Sequence, residues 1–139
     1  MPTRLAVVRA VAAALGTART EPEIADAVLN AVAEHLGAVT ATIWLVQGND
    51  LALMHARNAD PMVLERLRRV PLAEDVPGTE VIRTGEAFFF SSRAELDARW
   101  PQLADIPSAS NALVVLPLTN TGAVVGVVSF GFGRARGFD

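Results

Sequence analysis

The chain has 139 residues, the size of a single domain, and its 51% hydrophobic content is enough to form a core. Its net charge of -3, without a run of like charges, gives no reason to expect binding to nucleic acid or to a membrane. The absence of cysteine excludes disulfides, thiolate metal sites, thiol catalysis and thioether attachment of a cofactor.

The N-terminal segment predicts a helix over residues 3–16 that is apolar on nearly every side, with Arg4 and Arg9 as its only charges. These charges distinguish it from a signal peptide, and no uncharged apolar run approaches the roughly 20 residues of a membrane span, so we expect a cytoplasmic domain. One side of such a helix can cover a sheet while another meets a partner helix. We therefore expect a homodimer through Leu5, Val8, Val11, Ala12 and Leu15, with burial inside its own domain as the alternative.

A second helix is predicted over residues 20–36. Thr20 and Glu23 form a capping-box pattern at its start, and Gly37 is the expected C-terminal cap. Residues 39–46 and 51–57, rich in β-branched and aliphatic side chains, then predict two strands joined by a turn.

Alternation along these two strands predicts which side chains share a face. Thr42 and Trp44 fall together on the first strand. On the second strand the shared face carries Leu51, Leu53, His55 and Arg57. His55 could bind a metal or haem, but no second candidate ligand lies nearby in the sequence, so we expect no metal site.

The middle of the chain predicts short helices and loops. A helix is expected from Asp60 to about Arg69, a loop over 70–78, a helix over 79–84, a strand over 87–90 and a helix over 93–99 after the cap residue Ser92. Because this segment must cover the second face of the sheet, its broken, loop-rich character favours a pocket there.

Residues 112–132 predict a hairpin of two apolar strands around Asn120 and Gly122. Consecutive apolar residues such as Val127 and Val128 indicate strands covered on both faces, at the centre of the sheet. Gly126 predicts a bulge or a close approach of another group, and Pro117 a bulge or the end of regular pairing. The expected fold class is α+β, with a central antiparallel sheet of about five to six strands and long helices on one face.

These elements resemble a GAF domain over nearly the whole chain. The resemblance is carried by TATIWLVQ, DLALMHARN, RTGE before a strand, and LPL followed by GAVVGVVSFGF. It implies a GAF/PAS-like sheet and a regulatory sensor. It resembles in particular the GAF domains of actinobacterial multidomain signalling proteins, which lie upstream of a serine phosphatase or a histidine-kinase module. The chain is then expected to be a fragment that lacks a C-terminal helix and an output domain.

The motifs of the characterised GAF subtypes are missing. There is no cysteine for a bilin or for methionine-sulfoxide reduction, and no lysine for the cyclic-nucleotide pattern. We therefore expect no cofactor. A nucleophile elbow, HExxH, a Walker motif and GxGxxG are all absent as well, so we expect no enzyme activity and no catalytic residues.

Ligand-binding residues are expected on the sheet face opposite the long helices and in its broken cover. In bilin-binding relatives the aromatic residue at the position of Trp44 lines the pocket. The predicted set is Thr42, Trp44, Arg57, Thr79, Phe90, Ser92, Trp100 and Ser129. The alternative for these residues is ordinary packing, helix capping or surface charge.

Two functions remain open at this point. A small-molecule sensor predicts a pocket of at least a few hundred Å³. A dimerisation and signal-relay module without a ligand predicts a solid core and a dimer through the first helix.

Overall fold

The computed structural model describes residues 3–17, 20–103, 111–120 and 122–134. In chain order the helical elements are α1 (Arg4–Thr17), α2 (Glu21–Asp26), a π-helical segment (Ala27–Val32), α3 (Ala33–Leu36), α4 (Pro61–Arg66), α5 (Pro77–Thr84), α6 (Arg93–Arg99) and a 3-10 turn (Pro101–Leu103). None of the helices in these ranges combines the length and apolar character needed to cross a bilayer.

Within the described ranges, six strands form one antiparallel sheet in the order β3-β2-β1-β6-β5-β4. They are β1 (Thr40–Gln47), β2 (Asp50–Arg57), β3 (Arg69–Pro71), β4 (Phe88–Phe90), β5 (Ala112–Asn120) and β6 (Ala123–Phe132). The central position predicted for the last hairpin is confirmed, because β6 pairs with both β1 and β5.

The second predicted helix is continuous in space but winds differently in its middle. The Thr20 hydroxyl accepts from the Glu23 N–H at 3.3 Å, and Gly37 ends the helix with a φ of 75°, which confirms both predicted ends. Between them the chain is π-helical, and the Ala33 N–H bonds to the carbonyl of Val28, five residues back. Hydrophobic periodicity gave no sign of this wider turn.

The loop predicted over residues 70–78 is wrong at its start. The preceding helix ends at Arg66, and Arg69 to Pro71 form the edge strand β3. Val70 is buried and pairs with Leu51, while the Arg69 guanidinium lies 2.8 Å from the Asp50 carboxylate. A three-residue strand is too short to show alternation, so pairing with β2 decides its conformation.

The last hairpin shows how its glycine and proline fit. A Cβ on Gly126 would collide with the carbonyl oxygen of Trp44 in β1, which confirms the predicted close approach. Pro117 pairs regularly with Val127, and the bulge comes one step later, between Leu118 and Thr119. β4 pairs only as far as Val115, so β5 has a neighbour on one side only at the proline.

Two apolar cores lie on opposite faces of the sheet. The helix-side core joins α1 and the second helix to the sheet through residues such as Val7, Val28 and Phe130. The other core, which we call the cover-side core, joins the sheet to the segment 59–103 through residues such as Trp44 and Trp100. The predicted arrangement of long helices on one face and short helices on the other is confirmed.

Candidate functional site

A cavity of about 170 Å³ lies between the cover-side face of the sheet and the segment 59–103. It is smaller than the few hundred Å³ that the sequence led us to expect. An apolar cavity of about 150 Å³ accommodates benzene, so this one has room for a single small ring or a short branched chain. Its apolar walls include Leu51, Val63, Val70, Val115 and Val127.

Three polar side chains meet on the sheet side of this cavity. Thr42 in β1 and Ser129 in β6 are cross-strand partners, and their hydroxyl groups are hydrogen-bonded to each other. The Trp44 indole N–H donates to the Thr42 hydroxyl oxygen at 3.0 Å. Thr42 is only 7% exposed. Polar groups are therefore built into the inner wall of a largely apolar cavity.

Other polar groups that line the cavity come from the ends of short helices and strands. The carboxylate of Asp60 caps α4 by accepting from the Met62 N–H at 2.8 Å, and the Ser92 hydroxyl caps α6. The Arg93 guanidinium donates to the Asp97 carboxylate at 2.8 Å. These contacts stabilise the short helices α4 and α6 in the segment that covers the sheet.

Four of the eight predicted ligand-binding residues line the cavity. They are Thr42, Trp44, Ser92 and Ser129. The lining also contains Asp60, Arg93 and Asn111, which the sequence analysis did not select. Asp60 and Ser92 both occupy helix N-cap positions, and that shared signal could have identified Asp60.

Phe90 and Trp100 are core residues beside the cavity and do not line it. Their rings pack edge to face, with centroids 5.5 Å apart. Thr79 is fully buried within its own turn, where its hydroxyl oxygen accepts from the Val76 N–H at 3.1 Å. These three residues therefore follow the packing and capping alternative.

Arg57 is displaced from the predicted face by a β-bulge in β2. Ile43 of β1 pairs with His55, whereas the next residue, Trp44, pairs with Leu53, which leaves Met54 as an extra residue. One extra residue shifts every later side chain to the opposite face. The face predicted from the sequence is therefore right for Leu51 and Leu53 and wrong for His55 and Arg57.

On the helix side, Arg57 contacts the π-helical segment. Its guanidinium donates to the carbonyl of Leu29 at 2.8 Å and to that of Asn30 at 3.4 Å. The carboxylate of Glu34 lies 3.4 Å away. Arg57 therefore joins the sheet to the helix layer and is not available to a ligand in the cavity.

A cluster of charged residues ties the cover together around Asp75. This carboxylate accepts from the Trp100 indole N–H at 3.2 Å, and the Arg83 guanidinium in α5 lies 3.2 Å from it. The Arg99 guanidinium in α6 lies 3.7 Å away. The Trp100 hydrogen bond, together with the two arginine charges, lowers the pKa of Asp75 below its usual value.

The predicted dimer face of α1 divides between solvent and core. Leu5 and Val8 are 56% and 44% exposed, and Ala12 is exposed beside them. Val11 is buried at 4% exposure and packs into the helix-side core of its own domain. The side chain of Leu15 lies outside the described part of the structure.

The described ranges contain no group of three His, Asp or Glu side chains that could hold a metal ion. The bulge places His55 opposite Ile43, on the helix side of the sheet.

Comparison with known proteins gave a family and a set of similar structures. A family model described as a GAF domain matches residues 18–139. No curated protein matches the chain by sequence.

Three of the similar solved structures illustrate the kinds of protein in which this fold occurs. The GAF domain of a phosphoenolpyruvate-protein phosphotransferase from Acinetobacter has a TM-score of 0.69 at 16% identity, covering 98% of this chain and 81% of that one. NreA from Staphylococcus aureus, mutated in its nitrate binding site, has a TM-score of 0.63 at 18% identity, covering 80% and 84%. A domain assigned to a two-component sensor histidine kinase from Sinorhizobium meliloti has a TM-score of 0.62 at 18% identity, covering 88% and 79%. At these identities the likeness shows the fold alone.

Proposed function

Because the chain belongs to the GAF family, a sensory and regulatory fold, we propose that it senses a compact, largely apolar small molecule in the cavity. In this proposal the domain acts by binding and does no chemistry itself. Occupancy of the cavity is relayed to an output module, such as a serine phosphatase or a histidine kinase, in the cytoplasm.

The cavity is the observation that carries the proposal. A domain used only for packing would fill the space between the sheet and the segment 59–103. Here about 170 Å³ is left open beside the buried hydroxyl of Thr42. An apolar space with a few placed polar groups is typical of small-molecule sites.

The relatives support the same class of function without naming the ligand. NreA has a nitrate binding site, and the Acinetobacter and Sinorhizobium domains belong to a phosphotransferase and a protein assigned as a sensor kinase. A small ligand and a phosphate-transferring output are therefore both compatible with this fold.

The strands that line the cavity also support the helix layer, which offers a route for the relay. In β6, Val127 lines the cavity while the next residue, Val128, belongs to the helix-side core. A ligand that shifts β6 therefore shifts the surface on which the helices rest. Such a relay requires only that the ligand bind one arrangement of the strands better than another.

Native mass spectrometry at gentle activation tests the proposal. We expect an additional mass that leaves on denaturation. Val63→Phe, which adds a ring to a residue lining the cavity, should abolish it. Met62→Phe, at the adjacent residue with 56% exposure, is the matched control and should retain the mass. A mass that survives in the Val63→Phe variant would place the ligand elsewhere.

A second candidate function is a dimerisation and signal-relay module without a ligand. The exposure of Leu5 and Val8 on a helix that also packs into the core favours it. Val8→Glu should then give a folded monomer in sedimentation experiments, while Arg9→Glu on the neighbouring exposed position leaves the dimer intact. A dimer that persists in Val8→Glu would require a different interface.

A further inference from the structure

The hydroxyl pair on the inner wall of the cavity contains one donor hydrogen that takes part in no hydrogen bond. Thr42, Ser129 and the Trp44 indole each bring one donor hydrogen. The indole N–H is used on the Thr42 oxygen, and the bond between the two hydroxyls uses one more. Whichever hydroxyl donates in that bond, the other keeps a hydrogen without an acceptor.

Within the described residues, these two hydroxyls make no further hydrogen bond. Thr42 is more than nine-tenths buried, and Ser129 is half-buried in the central strand β6, flanked by β1 and β5. A donor that is left unsatisfied in such a place costs free energy, and an acceptor inside the cavity would remove that cost. The unused donor hydrogen therefore favours a ligand that places a hydrogen-bond acceptor in the cavity.

The charges around the cavity favour a neutral acceptor over an anion. Arg93 and Asp60 both line it and carry opposite charges. The Arg93 guanidinium is already bonded to the Asp97 carboxylate and, at 3.0 Å, to the carbonyl of Leu103. Because no excess positive charge remains in this set, a carboxylate ligand would lose more hydration than it gains.

We infer that the ligand class of this cavity is a compact, neutral molecule with a carbonyl or ether oxygen. The oxygen accepts the spare hydrogen of the Thr42–Ser129 pair, and the apolar body packs on Leu51, Val115 and Val127. This inference rests on the proposed function, because it specifies what the proposed site binds.

Three probes of one shape test it: benzaldehyde, styrene and benzoate. Each has one ring and a short planar substituent that is a neutral acceptor, a hydrocarbon or an anion. The chain has no lysine, so benzaldehyde cannot form an imine with a side chain. Dissociation constants come from NMR titrations that follow the methyl signals of Val115 and Val127, which line the cavity and are unchanged in every variant.

We expect benzaldehyde to bind about three- to tenfold more tightly than styrene, the effect of one hydrogen bond, and more tightly than benzoate. The triple variant Thr42→Val, Trp44→Phe and Ser129→Ala, which removes all three donors, should lose the preference for benzaldehyde over styrene. Thr119→Val repeats the Thr-to-Val change at an exposed position of β5 and should keep it.

The wild-type comparison decides the inference even if the triple variant does not fold. If styrene binds as tightly as benzaldehyde or more tightly, the inference that the ligand carries an acceptor oxygen is wrong. If benzoate binds most tightly of the three, the inference that the ligand is neutral is wrong. Either result leaves the cavity as a binding site. If none of the three probes binds up to its solubility limit, the proposed function fails along with the inference.

Discussion

The two faces of the sheet differ in how completely they are packed. On the helix side, Val114, Val128 and Phe130 have no exposed surface and form one apolar core with the helices. On the cover side, the neighbouring residues Val115, Val127 and Ser129 border an open cavity. We therefore propose that the helix-side face of these strands stabilises the domain while the cover-side face binds a ligand, and four predictions test this division.

The largest effect is expected from two neighbouring substitutions in β6. Phe130→Ala leaves a cavity in the helix-side core and should lower the unfolding free energy by about 3–5 kcal/mol. Ser129→Ala, on the cavity face, removes only a hydroxyl and should cost about 1 kcal/mol or less. Urea denaturation measures both. Similar losses would mean that the two faces are packed alike.

The next effect concerns the contact between β1 and β6 that both faces share. Gly126→Ala should cost about 1–3 kcal/mol, because the new Cβ collides with the carbonyl oxygen of Trp44. In Gly133→Ala the Cβ would lie 3.6 Å from Val39, an ordinary contact, so this control should stay within about 0.5 kcal/mol of wild type. If both are neutral in thermal unfolding, the strands are farther apart than described.

A smaller effect is expected from the side chain that the bulge carries to the helix side. Arg57→Met should cost about 1 kcal/mol, because the carbonyls of Leu29 and Asn30 lose their donor at a partly exposed site. It should also speed hydrogen exchange in residues 27–32. Arg69→Met removes only surface contacts, the ion pair with Asp50 and a hydrogen bond to the Gln47 side-chain oxygen at 3.5 Å, and is the control. Unchanged exchange in Arg57→Met would show that the π-helical segment does not depend on the guanidinium.

The smallest effect is a pH dependence on the cover side. Folding lowers the pKa of Asp75, so its ionised form stabilises the fold at neutral pH. This contribution is complete above the usual value of 3.8 and is lost as the pH falls through the lower pKa of the folded state. The difference in unfolding free energy between wild type and Asp75→Asn should therefore shrink in acid. A constant or growing difference would contradict the role of Asp75.

Sequence patterns predicted the parts of the fold that depend on local chemistry. Gly37 and Ser92 carry a backbone or side-chain preference that ends or begins a helix by itself. The long apolar runs of β5 and β6 indicated burial on both faces without any knowledge of neighbours. Alternation placed Thr42 on the same face as Trp44, the residue that the family resemblance indicated, because β1 pairs with β6 there without a bulge. Ser129 was selected as the one polar side chain in the middle of the last strand.

The parts that were missed depend on partners far away in the chain. Arg57 was misplaced because one extra residue, Met54, changes the register against β1, and nothing local in β2 signals it. Phe90 and Trp100 are aromatic residues in the predicted cover, but only their mutual packing shows that they fill space rather than line it. The cavity is smaller than expected because these two rings fill space that the sequence analysis assigned to the pocket.

The most direct test of the central claim uses xenon, which enters apolar cavities large enough to hold it. Methyl NMR spectra recorded under xenon pressure report on adjacent valines that face opposite sides of the sheet. We predict shifts at Val115 and Val127, which line the cavity, and none at Val114 and Val128 in the helix-side core. Absence of shifts at Val115 and Val127, or equal shifts at all four, would contradict a binding cavity on one face only.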